Sequence, residues 1–120
     1  MDAAEETALN GVWAPGPGMN LFHRLFREID PEAVIAEDLG YMTDSVREMV
    51  KESGFPNMKV LEFAFDARDT GSASDYLPHN YGENCVAYTG THDNETLVSW
   101  LDAITRAGMK LVRDYLSDHH

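Results

Sequence analysis

Apolar residues recur along the chain with two different periods. Phe22, Leu25, Phe26 and Ile29 fall at i, i+3, i+4 and i+7, the spacing of one helix face. Pro31 ends that helix, because the residue before a proline is pushed out of the α region. Three short runs are predominantly apolar instead: AVIA at 33–36, MKVLEFAF at 58–65 and CVAYT at 85–89. Such runs predict strands buried on both faces of a parallel sheet. Between the first two, Thr43 or Asp44 can cap a helix with Val46, Met49 and Val50 on its inner face, and Gly54 stands where a left-handed residue would close it. Leu97, Val98, Leu101 and Ile104 mark the inner face of a helix over 95–106. Gly108 is expected to break it, and Met109, Leu111, Val112, Tyr115 and Leu116 suggest one more short helix. GVWAPGPG at 11–18 is too rich in Gly and Pro for either regular structure, and 68–82 is a long polar loop.

The resulting order is helix, strand, helix, strand, long loop, strand, helix, helix. It predicts an α/β fold with a parallel sheet, in one domain over 1–120. Three strands are few for a free-standing sheet of that type, and the 120 residues fall short of the roughly 200–250 of a whole (β/α)8 barrel. The pattern therefore predicts a slice of something larger. Open apolar edges predict partial unfolding or self-association of the isolated chain.

Charge removes several classes of partner. Nine Lys plus Arg against 21 Asp plus Glu give a net charge of −12, which argues against nucleic acid and anionic membrane surfaces. No apolar run reaches the length of a membrane span, and MDAAEETALN at 1–10 lacks the pattern of a secretory leader. A single cysteine, Cys85, cannot form an internal disulfide, which fits the cytoplasm.

Ligands of parallel α/β folds bind at the C-terminal ends of the strands. The polar residues placed there are Glu37 and Asp38 after the first strand, Asp66 after the second, and Thr91, His92, Asp93 and Asn94 after the third. If the strands are parallel neighbours, Glu37 and Asp93 face one mouth. Asp38 and Asp66 read as capping or turn residues. Glu37 directly follows four apolar residues and lies well before the cap candidates, so it is expected to be partly desolvated. That condition favours the protonated form a general acid needs. Asp93 has a second reading, as the cap of the helix that starts near Glu95, and His92 as a packed loop histidine. Glu37, His79, His92 and Asp93 are the residues a metal site would use, but no pair has a tight ligand spacing, so no metal is expected. GVWAPGPG does not fit a dinucleotide fingerprint, and no strand precedes it. Cys85 opens an apolar strand and reads as core. The loop aromatics Trp13, Tyr76 and Tyr81 are candidates to stack on sugar rings. Taken alone, these residues indicate acidic groups on the mouth of an α/β sheet, with glycoside or metal chemistry.

Five runs carry more than that: GVWAPGPG (11–18), IAEDLG (35–40), GFPNMKVLEFAF (54–65), YLPHNY (76–81) and YTGTHDNETLVSW (88–100). In these, from about residue 7 to 101, the sequence resembles the amylomaltases, the disproportionating 4-α-glucanotransferases of the α-amylase clan. The resemblance implies part of a (β/α)8 barrel, about three βα units at strands five to seven. It implies retaining transfer of a glucosyl chain from an α-1,4-glucan or maltooligosaccharide to the 4-OH of another, with neither metal nor organic cofactor. Glu37 is implied as the general acid/base, Asp93 as the transition-state stabiliser and His92 as a hydrogen-bonding neighbour on the sugar. The family's nucleophilic Asp lies in an Arg-x-Asp motif upstream of the GPG loop. No Arg-x-Asp occurs in this sequence, so the chain alone is expected to be an inactive part of a longer enzyme. The family usually has Gly where Asn57 stands, a change expected to touch a turn and not the chemistry. Two alternatives remain: an α-glucan hydrolase of the same clan, and a non-catalytic α/β module that binds maltodextrin.

Overall fold

A computed structural model describes residues 7, 9–40, 42–65, 73–104 and 106–117. Asp66, Tyr41, His119, His120 and the 68–72 part of the long loop lie outside them. The regular elements are helices α1 (Met19–Leu25) and α2 (Asp44–Ser53), strands β1 (Asn57–Val60) and β2 (Cys85–Tyr88), and helices α3 (Leu97–Ala103) and α4 (Arg106–Ser117). Single 3-10 turns cover Pro31–Ala33, Leu61–Phe65, Ala73–Tyr76 and Pro78–Asn80.

β1 and β2 run parallel, with Asn57 opposite Cys85 and Val60 opposite Tyr88. On the other side of β1, Ala36 forms an isolated parallel bridge to Asn57, its N–H donating to the Pro56 carbonyl at 2.8 Å. The three predicted strands are therefore parallel neighbours in chain order, with β1 in the middle. They are shorter than predicted. AVIA contributes one bridge, at Ala36; Asp30 accepts from the Glu32 N–H and starts a turn that takes up Ala33. MKVLEFAF stays extended only to Val60. The Glu62 N–H still reaches the Thr89 carbonyl, and the chain then coils so that Ala64 and Phe65 turn onto Val112 of α4.

The helices follow their local chemistry. Thr43 Oγ1 caps α2 at the Val46 N–H, and Gly54 closes it at φ 72°, as its sequence predicts. Phe22 and Phe26 of the α1 stripe meet the Phe55 ring edge-on at 5.2 and 5.4 Å. Leu25 and Ile29 of the same stripe are exposed. Gly108 was expected to break the helix over 95–106; instead α3 ends at Ala103 and Gly108 lies inside α4. A Cβ there would come within 2.7 Å of Ile104 Cγ1, so the glycine serves the tight corner between α3 and α4.

The core is small: Phe55, Val60, Ala64, Phe65 and Val112, with Trp100, Ile104 and Tyr115 packed around its α4 end. Strands buried on both faces are not what the structure contains. Ile35 and Tyr88 are exposed. So is Val98, one of the residues expected to face inward, at 72%. Among the described residues, no second layer covers those side chains.

Candidate active site

Glu37 follows the Ala36 bridge and is solvent-exposed. The expected desolvation is absent, because only a single bridge separates it from open chain and no layer of the described residues covers it. Its neighbours are anchored. Asp38 Oδ1 accepts the Met58 N–H at 3.0 Å, and Asp38 Oδ2 accepts from Asn57 Nδ2 at 3.1 Å. Asp38 caps no helix; it ties the segment after Ala36 to the start of β1. Asn57 touches more than a turn, since it bonds to the residue next to Glu37. Glu37 and Asp38 also line the rim of an open, mainly apolar pocket with Phe22, Ala36, Met42 and Phe55.

His92 and Asp93 occupy the middle of a tight turn. The Asn94 N–H donates to the Thr91 carbonyl at 3.0 Å. Asn94 Oδ1 accepts both the Thr91 N–H (2.9 Å) and the Thr91 hydroxyl (2.8 Å), and the Asp93 N–H donates to Thr91 Oγ1. Thr and Asn close turns through such side-chain bonds, and the two central residues are thereby thrust into solvent. His92 Nε2 lies 3.3 Å from Asp93 Oδ1, with side chains 91% and 82% exposed. Asp93 is not a cap: Thr96 caps α3, accepting from the Ser99 N–H. Nor is His92 packed in the loop.

Glu37 is not brought into contact with the His92–Asp93 pair. Ala36 stands opposite Asn57, the first residue of β1, whereas His92 and Asp93 follow the last residue of β2. Glu37 thus enters at the first rung of the sheet and the pair lies beyond the last. Among the described residues no hydrogen bond or ion pair joins Glu37 to either.

One carboxylate was not singled out by sequence. Glu62 is 4% exposed, and its Oε1 has no hydrogen-bond partner. A Cβ at Gly90 would lie 3.1 Å from its carboxyl carbon and from both oxygens, so glycine is what lets the chain pass that close. Burial, and after it the charge of Glu95, raises its pKa above the usual 4.5. The signal was a lone acidic residue inside MKVLEFAF.

The remaining candidates have other contacts. Tyr76 meets Phe63 edge-on at 5.3 Å beneath the Lys59 ammonium. The Tyr81 hydroxyl donates to the Tyr76 carbonyl at 2.7 Å, and burial pushes its pKa up. Trp13 alone of these aromatics is almost wholly exposed, at 95%. His79 stacks on Tyr115, whose hydroxyl lies 3.0 Å from His79 Nδ1. Cys85 is half-buried, its thiol donating to the Gly82 carbonyl. Among the described residues no group of three or more His, Cys, Asp or Glu converges as a metal site would, and no helix is long and apolar enough to cross a membrane.

Comparison with known proteins is consistent along the whole chain. The sequence model of the family described as 4-alpha-glucanotransferase matches residues 1–120. A 4-alpha-glucanotransferase of Clostridium butyricum is 50% identical over 102 residues, 85% of this chain and 20% of that protein. The chloroplastic/amyloplastic 4-alpha-glucanotransferase of Solanum tuberosum is 40% identical over 114 residues, 95% of this chain and 19% of that protein. The amylomaltase of Streptococcus agalactiae, solved in complex with acarbose, superposes with a TM-score of 0.82 at 37% identity, over 96% of this chain and 23% of that one. The chain thus spans about a fifth of the length of the relatives it matches.

Proposed function

Because this chain belongs to the 4-alpha-glucanotransferase family, we propose that it is the segment of such an enzyme that carries Glu37, His92 and Asp93. In this proposal its three parallel strands are strands five to seven of a (β/α)8 barrel. The complete enzyme transfers part of an α-1,4-glucan or maltooligosaccharide to the 4-OH of an acceptor glucan, with retention, in the cytoplasm.

The observation that carries this is the Thr91–Asn94 turn, which holds a histidine and a carboxylate together and in the open. An oxocarbenium-like transition state is stabilised by fixed negative charge and by hydrogen bonds to ring hydroxyls. Asp93 supplies the first and His92 the second. Glu37 gives its proton to the glycosidic oxygen, and its carboxylate then takes the proton of the acceptor 4-OH. Retention also needs a carboxylate nucleophile that forms a glycosyl-enzyme intermediate. The resemblance puts that nucleophile in an Arg-x-Asp motif, which this sequence lacks. The bound acarbose of the Streptococcus agalactiae amylomaltase, an oligosaccharide mimic, supports α-glucans as substrates. Exposed apolar residues such as Val98 and Leu116 lead us to expect self-association of the isolated chain, seen as a mass above one chain in sedimentation.

Incubated with maltotriose, the 120-residue chain is expected to release no glucose and build no longer maltodextrins, whereas the complete enzyme does both. Glucose without longer chains would make the complete enzyme a hydrolase. Disproportionation by the 120-residue chain alone, abolished by Glu37→Gln, would overturn its role as an incomplete segment.

A further inference from the structure

Glu37 is an exposed side chain on a short, weakly paired stretch of backbone, yet an acid must be held to within a fraction of an ångström of the bond it protonates. The sheet supplies one anchor before it, the Ala36 N–H on the Pro56 carbonyl at 2.8 Å. After it stands Asp38, half-buried, with both carboxylate oxygens committed: Oδ1 to the Met58 N–H and Oδ2 to Asn57 Nδ2. The two donors come from consecutive residues of β1. They grip the carboxylate as a fork, so neither side-chain torsion of Asp38 can turn without breaking a bond. A hydrogen bond to an ionised acceptor is about twice as strong as a neutral one. Asn57 is itself fixed from the far side, its own N–H donating to the Asn84 carbonyl at the entry to β2.

We propose that Asp38 is a positioning residue for the acid: it locks the backbone on the C-terminal side of Glu37 to β1, with Asn57 as a second strut. This rests on Glu37 being the acid/base proposed above. Asp38 touches neither sugar nor reacting atoms in this role. It acts by holding its neighbour.

The test is kinetic and structural. In the complete enzyme, Asp38→Ala is expected to lower kcat about 10- to 100-fold with KM within about twofold, because orientation is lost while sugar binding is not. Asp38→Asn keeps an oxygen for Met58, and Asn57 can turn its amide over to accept from the new NH2, so the kcat of this variant should fall less than that of Asp38→Ala. An unchanged kcat in Asp38→Ala, while Glu37→Gln in the same enzyme abolishes turnover, overturns the positioning role and leaves the acid assignment standing. Full turnover in Glu37→Gln overturns the acid assignment itself. Hydrogen exchange in the complete enzyme reads the clamp directly. The Ala36 and Met58 amides, which donate to the Pro56 carbonyl and to Asp38 Oδ1, should exchange about tenfold faster in Asn57→Gly and in Asp38→Ala, with 86–88 unaffected, as expected for loss of a bond worth about 1.4 kcal/mol. Equal rates in wild type and both variants, or unprotected Ala36 and Met58 amides in the wild type, overturn it.

Discussion

Replacing Glu37 by Gln in the complete enzyme is expected to lower kcat for maltotriose disproportionation by about 10²–10⁴-fold, the usual contribution of a general acid or base. Gln preserves the size and the solvent contact of this exposed side chain, so the loss would not come from unfolding. It would come from the missing proton. A sugar alkoxide is a poor leaving group and needs protonation as its bond breaks. Fluoride leaves without that help, so with an α-maltosyl fluoride donor the first half-reaction of the variant should run within about tenfold of wild type. The covalent intermediate would then accumulate, because the acceptor hydroxyl still needs a base. Equal loss on both donors would sink the acid role and leave Glu37 as a binding group. The same two donors separate Glu37 from Asp93. A charge that stabilises the oxocarbenium-like state serves every leaving group, so Asp93→Asn should cost about as much on the fluoride as on the sugar.

What could be read from the sequence was what local chemistry decides. Thr43 and Gly54 bound α2 because capping and a left-handed glycine need only neighbouring residues. The parallel order of three strands was legible because apolar runs alternate with helical stripes. What depends on partners distant in the chain was not. AVIA has strand composition, yet a strand is a property of its pairing: the turn opened by Asp30 takes up Ala33, and of the rest Ala36 alone pairs. Gly108 looked like a breaker. A glycine needed for close approach carries the same letter, and only the Ile104 contact separates the two cases. Asp93 had a second reading as the cap of α3, and the structure gives that place to Thr96, three residues on. Thr96 wins because Thr91 and Asn94 spend their side chains on each other and close a turn that removes Asp93 from the helix start. Glu37, His92 and Asp93 were legible as polar residues placed after the apolar runs and their roles by resemblance, whereas the anchors that hold them, Asp38 to β1 and Thr91 to Asn94, appear only in three dimensions.

Glu62 carries the other large expected effect, on stability instead of rate. Its carboxyl lies beneath Gly90, where the turn bearing His92 and Asp93 begins, with Oε1 buried and unpartnered. An ion in that place is costly, so burial raises its pKa and the nearby charge of Glu95 adds to the rise. The sign of the pH dependence follows. The folded chain holds the Glu62 proton more tightly than the unfolded chain, so the favourable contribution is complete below the ordinary value of 4.5. It is lost as pH rises through the higher folded value. Glu62→Gln keeps the shape and cannot ionise. It should be more stable than wild type at about pH 8 by roughly 1–3 kcal/mol, the size of a buried group left without a partner. The gap should close as the pH is lowered to 4.5. Urea unfolding midpoints measured across that range, with unchanged slopes, give the comparison. Glu95→Gln should reproduce a smaller part of the gain, since Glu95 is exposed and only the second cause. Superposed stability curves for wild type and Glu62→Gln would mean that Glu62 escapes to solvent when it ionises, and that the close packing against Gly90 yields to it. A widening gap toward high pH would mean that the carboxyl stays under Gly90 and that its neutral form supports the turn.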